Sequence, residues 1–88
     1  MTELILNGKE IRTQEELHRY FARTLNFPEW YGGNLDALFD CLTDIREDVR
    51  ITVTETELFK EHLNGYAEKV LRVLSDAAAE NSHLRLLL

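Results

Sequence analysis

Cysteine, proline and basic residues are scarce in this chain. Cys41 is the sole cysteine among 88 residues, so an internal disulfide is impossible and no paired-thiol metal motif exists. A single thiol suits a reducing compartment, and the cytoplasm is the expected location. No hydrophobic run approaches the roughly 20 apolar residues of a membrane span, and Met1-Thr2-Glu3-Leu4 lacks the basic start and apolar stretch of an export signal. With one proline, four glycines and 44% hydrophobic residues, the composition is that of an ordered globular chain without repeats or low-complexity segments. A chain this short has room for a single core, so residues 1–88 are expected to form one domain.

Ten Lys and Arg against sixteen Asp and Glu leave a net charge of −6. That sign repels a phosphate backbone and disfavours direct nucleic-acid binding. The imbalance is local. Residues 28–48 hold six acids (Glu29, Asp36, Asp40, Asp44, Glu47, Asp48) and one base, Arg46, whereas the remainder carries ten acids and nine bases.

Glu3 to Leu6 is a short apolar run closed by the turn pair Asn7-Gly8, which predicts a first strand. Thr13 followed three residues later by Glu16 matches a capping box, and Leu17, Tyr20, Phe21 and Leu25 then recur at helical spacing, predicting a helix from Gln14 to Leu25. Pro28 and Gly32-Gly33 interrupt regular structure before Asn34, a good N-cap for a second helix, Leu35 to Thr43. Arg50 to Thr54 alternates Ile51 and Val53 with polar partners and reads as a strand, and Thr56 can cap a short helix ending at Asn64-Gly65. Tyr66 to Glu80 carries Val70, Val73, Leu74, Ala77 and Ala78 on one stripe, and Asn81-Ser82 breaks it before the apolar run Leu84 to Leu88. Strands alternating with helices imply parallel pairing through helical crossovers. The expected fold is α/β, a three-stranded parallel sheet with about four helices, its last and most apolar strand at the centre of the sheet.

On the second helix Asp36, Asp40 and Asp44 recur every fourth residue, lining three carboxylates on one face with Thr43 beside them and Leu35, Leu38 and Leu42 on the opposite, buried side. Asp36 lies in the first turn, where the helix dipole favours an anion and capping alone accounts for it. Asp40 sits toward the negative end, and each like-charge neighbour at this spacing costs about 0.2–0.5 kcal/mol. A solvated acidic face is the plain explanation, but a local rule broken without structural gain also marks functional sites. The preceding loop favours the latter: Trp30 and Tyr31 stand beside the glycine pair on a short surface connection, and large aromatics next to charge resemble an interface hot spot. At least one of these rings is expected at the surface, the other being free to fold onto the core.

The segment Leu25-Asn26-Phe27-Pro28-Glu29-Trp30-Tyr31-Gly32-Gly33-Asn34-Leu35-Asp36-Ala37-Leu38-Phe39-Asp40-Cys41-Leu42-Thr43 resembles the signature of the barstar family. Asn7-Gly8-Lys9-Glu10-Ile11, Leu17-His18, Asn64-Gly65 and the last helix and strand fall where that family has similar elements, so the resemblance spans nearly the whole chain. It implies stoichiometric inhibition, with the second helix and its preceding loop entering the active-site cleft of a guanyl-specific microbial ribonuclease. By resemblance, Asp40 is the central carboxylate that occupies the enzyme's phosphate pocket, and Asp36 neutralises an arginine at the base-binding loop. Trp30 stands where the family usually has a tyrosine that packs on the catalytic histidine. Tyr31, Gly32, Asn34, Leu35, Phe39 and Thr43 match or approximate the rest of the contact surface, and Asp76 a peripheral acidic contact. Phe39 replaces a common tryptophan, Asp44 and Ile45 replace a glycine–aromatic pair, placing Asp44 as added charge at the rim, and Ser82 lies where a second cysteine often occurs. The implied molecule is a monomeric, cytoplasmic bacterial immunity protein without cofactor or metal.

Two other readings compete. In an enzyme, Asp36 and Asp40 would serve as acid and base or as metal ligands, but a pair on one exposed helix lacks the distinct environments that separate pKa values. His18, His62 and His83 have no metal-ligand spacing and are expected to be solvated or partly packed, and Cys41 is expected to be a packing residue between the two faces of its helix. The stronger rival is an interaction module that keeps the scaffold and acidic face but binds a basic partner other than a ribonuclease.

Overall fold

Local hydrogen bonds set the first elements. In the computed structural model, which describes all residues 1–88, the first strand is β1 (Thr2–Asn7). It closes where the Asn7 side-chain oxygen accepts from the Lys9 amide at 2.9 Å and the Asn7 carbonyl accepts from Glu10 and Ile11. Thr13 caps α1 (Gln14–Leu25) through its hydroxyl oxygen, which accepts from the Glu16 amide at 3.1 Å. The Glu16 carboxylate reaches back to the Arg12 amide, a reciprocal cap displaced by one residue from the usual box. Asn34 caps α2 (Leu35–Thr43), accepting from the Ala37 amide at 2.8 Å. There follow β2 (Val49–Thr54), α3 (Thr56–Leu63), α4 (Gly65–Glu80) and β3 (Leu84–Leu87). Thr56 proves to be the first residue of α3 rather than its cap: Glu55 turns the chain in left-handed backbone, φ 52°, without a side-chain hydrogen bond.

The three strands run parallel in the order β1-β2-β3, with Leu4 opposite Ile51 and Ile51 opposite Leu86. The centre is therefore β2, and the expectation that the last strand lies there is corrected. β3 is four residues long, with Leu84 buried but Arg85 and Leu87 exposed, so its apolar content overstates its burial. Val49, Ile51 and Val53 of β2 are buried and alternate with half-buried polar residues, the pattern of a strand covered on one face.

A single cluster of 17 buried residues joins that covered face to all four helices. α1 contributes Leu17 and Phe21, α2 Leu38 and Leu42, α3 Phe59 and Leu63, and α4 a stripe running from Ala67 through Val70 and Leu74 to Ala77. Val73 and Ala78, expected on that stripe, lie at its half-buried edge. α4 packs against α2, α3 and β3, which makes it the spine behind the acidic helix. No helix is long and apolar enough to cross a membrane.

Gly8 leaves no room for a side chain. A Cβ there would lie 2.2 Å from the Glu55 carbonyl oxygen and 2.6 Å from Phe59 Cβ. Gly8→Ala is expected to cost about 3 kcal/mol, the upper end for overpacking, read as a lowered urea midpoint. Gly65→Ala, where a Cβ meets nothing within 4 Å at the start of α4, should keep or raise the midpoint.

Candidate functional site

α2 divides its side chains sharply. Leu38 and Leu42 are fully buried, Leu35, Phe39 and Thr43 are half-buried at the edges, and Asp36 and Asp40 face solvent. Asp44 lies one position beyond the helix as its C-cap, still in right-handed backbone (φ −92°, ψ −4°), and extends the exposed row. Four residues of helix rise about 6 Å, so Asp36 and Asp40 stand about one turn apart along the exposed face. No internal cation answers them. The chain's one pairing of a lysine or arginine with a carboxylate is Arg50–Glu3 at 3.3 Å, Asp48 meets His83 Nδ1 at 3.0 Å, and the last turn of α2 has no base.

The end of the helix is held by other means. Asn81, only 8% exposed, donates its side-chain amide to the carbonyls of Leu42 and Ile45, both at 3.0 Å, while its oxygen accepts from the His83 amide. One side chain thus bonds carbonyls at and just beyond the α2 terminus and ties them to the α4–β3 turn. The Thr43 hydroxyl adds a bond to the Phe39 carbonyl at 2.9 Å.

The loop before α2 resolves the two aromatics. Trp30 is 71% exposed. Tyr31 folds back: its ring tilts against Phe27 with centroids 4.9 Å apart, and its hydroxyl meets His18 Nδ1 at 2.5 Å. The opposite ring nitrogen, Nε2, meets the Tyr66 hydroxyl at 2.6 Å. Burial pushes the His18 pKa below 6.5, so the imidazole is neutral and donates to one tyrosine while accepting from the other. Burial also raises both tyrosine hydroxyls, which stay protonated. This bridge fastens the loop to α1 and α4. Gly33 adopts φ 69° as the chain turns into Asn34, a left-handed conformation that favours glycine.

Of the remaining residues singled out by the sequence, Gly32 and Asn34 are exposed beside the row, and Asp76 is exposed on α4, off the row. Cys41 is buried and free, and its thiol is pushed up first by burial and then by the charges of Asp40 and Asp44, which keeps it protonated. No group of three or more His, Cys, Asp or Glu gathers as metal ligands would. Sequence reasoning missed His18, Tyr66 and Asn81. His18 was detectable in principle, as a polar residue between Leu17 and Phe21 on the buried stripe of α1. His62 is also partly packed, with Nδ1 at 2.9 Å from the Gly8 carbonyl.

Uncompensated carboxylates beside an outward tryptophan, braced from behind, have the make-up of a docking face. The family model described as Barstar (barnase inhibitor) matches residues 1–88. The chain belongs to the barstar family. A relative in Bacillus subtilis (strain 168), YrdF, whose name marks it as a candidate ribonuclease inhibitor, is 36% identical over 81 residues, covering 91% of this chain and 89% of that protein.

The bridge has a pH signature. Because the folded pKa of His18 lies below its unfolded value, its contribution to stability is complete above about pH 6.5 and is lost as pH falls through the folded value, the unfolded chain taking the proton first. The urea midpoint should fall between about pH 7.5 and pH 5, and fall less in His18→Gln. Equal pH dependence in the two proteins would contradict this.

Proposed function

We propose that this protein is a stoichiometric inhibitor of a guanyl-specific microbial ribonuclease and not an enzyme. The observation that carries the reading is the row Asp36, Asp40, Asp44, exposed and without an internal counter-charge, beside the outward Trp30. Such a row imitates the phosphates of an RNA chain and meets a cationic cleft built to bind them. Asp40 enters the phosphate pocket, Asp36 pairs with an arginine at the base-binding loop, and Trp30 packs on the catalytic histidine. Tyr31, Gly32, Asn34, Leu35, Phe39 and Thr43 complete the contact surface, with Asp44 at the rim and Asp76 at the periphery. The inhibitor acts as a monomer in the cytoplasm, protecting its host until the ribonuclease is exported. Family membership and the name given to the Bacillus subtilis relative support this reading.

A second reading draws on Phe39, Asp44 and Ile45, which depart from the family's usual residues on the same face. A barstar-like module with this altered rim would bind a basic partner other than a ribonuclease.

Titration into a guanyl-specific microbial ribonuclease at constant RNA substrate should abolish cleavage at one-to-one stoichiometry. Asp40→Ala should weaken binding most, by about a hundredfold or more, the cost of leaving a desolvated cation unpaired. Asp44→Ala, at a solvated rim, should cost about two- to fivefold. Equally small effects of the two would refute the docking mode, and absence of inhibition would favour the second reading. Added salt should slow association, since the complementary fields that steer encounter are screened.

A further inference from the structure

A groove of about 440 Å³ opens between the loop and the C-terminal end of α2, within the range of about 300–1,000 Å³ typical of ligand-sized clefts. Leu25, Phe27 and Ile45 supply apolar lining, Trp30 a large π face, and Asp40 and Asp44 two carboxylates. Nothing in the chain neutralises it: Trp30 and both aspartates are exposed, and neither aspartate pairs with a lysine or arginine. The Cys41 thiol, also in the lining, feels both charges, so their fields converge there. The Asn81 amide holds the Ile45 carbonyl, which fixes one side of the groove.

A flat aromatic face, a carboxylate and an apolar lining together match one side-chain chemistry. A guanidinium is planar and weakly hydrated, stacks on aromatic rings and offers a fork of donors to a carboxylate, while its methylene stem covers apolar surface. A lysine ammonium is a compact, strongly hydrated charge that gains less from such a site. Building on the inhibitor reading, we propose that this groove receives an arginine side chain of the basic partner, paired with Asp44 and stacked on the face of Trp30 that lines the groove, the ring's other face being left to the catalytic histidine. Asp40 remains with the central cleft, and Asp44, Ile45 and Trp30 select among basic partners by whether they carry an arginine at this place.

Trp30 is the only tryptophan in the chain, so its fluorescence reads the groove directly. N-acetyl-arginine amide titrated into the full chain at low salt should give a saturable change in Trp30 emission and shift the backbone amide resonances of Asp44 and Ile45. N-acetyl-lysine amide should bind several-fold more weakly, and uncharged N-acetyl-citrulline amide should leave the signals in place. Asp44→Asn should weaken the arginine response about fivefold, the scale of one exposed charge pair, while Glu61→Gln on α3 should not change it. Equal responses to the three amides, or a response indifferent to Asp44→Asn, would overturn the proposal. One-to-one inhibition of a ribonuclease by both the parent and Asp44→Asn, with no arginine-amide response, would overturn the groove alone. An arginine-amide response in a protein that inhibits no guanyl-specific ribonuclease would uphold the groove and overturn the inhibitor reading.

Discussion

α2 is nine residues long, carries two aspartates with a third at its C-cap, and has no base in its last turn. A helix of that length does not hold itself in water, and its C-terminal acids oppose its own dipole. What sustains it is burial of the other face: Leu38 and Leu42 are each fully enclosed, worth about 1.5–3 kcal/mol apiece. Against that, like-charge costs of about 0.2–0.5 kcal/mol per pair are small. Both ends are fastened as well, by Asn34 at the start and by the buried Asn81 at the finish. Because the core and the caps stabilise the helix, its outer face is free to carry charge with no partner inside the molecule.

The loop follows the same logic. Its backbone is short and exposed, yet Tyr31 is bound from behind by a histidine that is itself bound to Tyr66. With its hydroxyl committed inward, Tyr31 serves as a wedge, and its neighbour Trp30 is left facing outward. A loop and helix already ordered before association lose less conformational freedom on binding, which favours affinity without added contact area. The face is thus built from two rigid supports, the Asn81 clamp and the His18 bridge, that touch none of its exposed carboxylates.

α1 and α2 were legible because their signals are local: Thr13 with Glu16, and Asn34 three residues before Ala37, are contacts within one turn. Strand order was not, because apolar content does not distinguish a strand covered on one face from one covered on both, and Leu87 is exposed although its composition suggests otherwise. Glu55 was missed because the more usual capping residue, Thr56, stands next to it. The acidic row could be read from its spacing alone, whereas its supports could not. His18 meets a tyrosine 48 residues away, and Asn81 reaches carbonyls 39 and 36 residues distant. Which of Trp30 and Tyr31 faces outward depends on the bond from Tyr31 to His18 on α1, together with the packing of the Tyr31 ring on Phe27.

The central claim is that this face covers a ribonuclease's active site. The most direct measurement is calorimetric titration of the protein into a guanyl-specific microbial ribonuclease, with and without saturating guanosine 3′-monophosphate in the active site. The account predicts competition, the apparent affinity falling in proportion to nucleotide occupancy because the carboxylate row and the nucleotide phosphate require the same cations. Binding of undiminished affinity to the nucleotide-filled enzyme would contradict it.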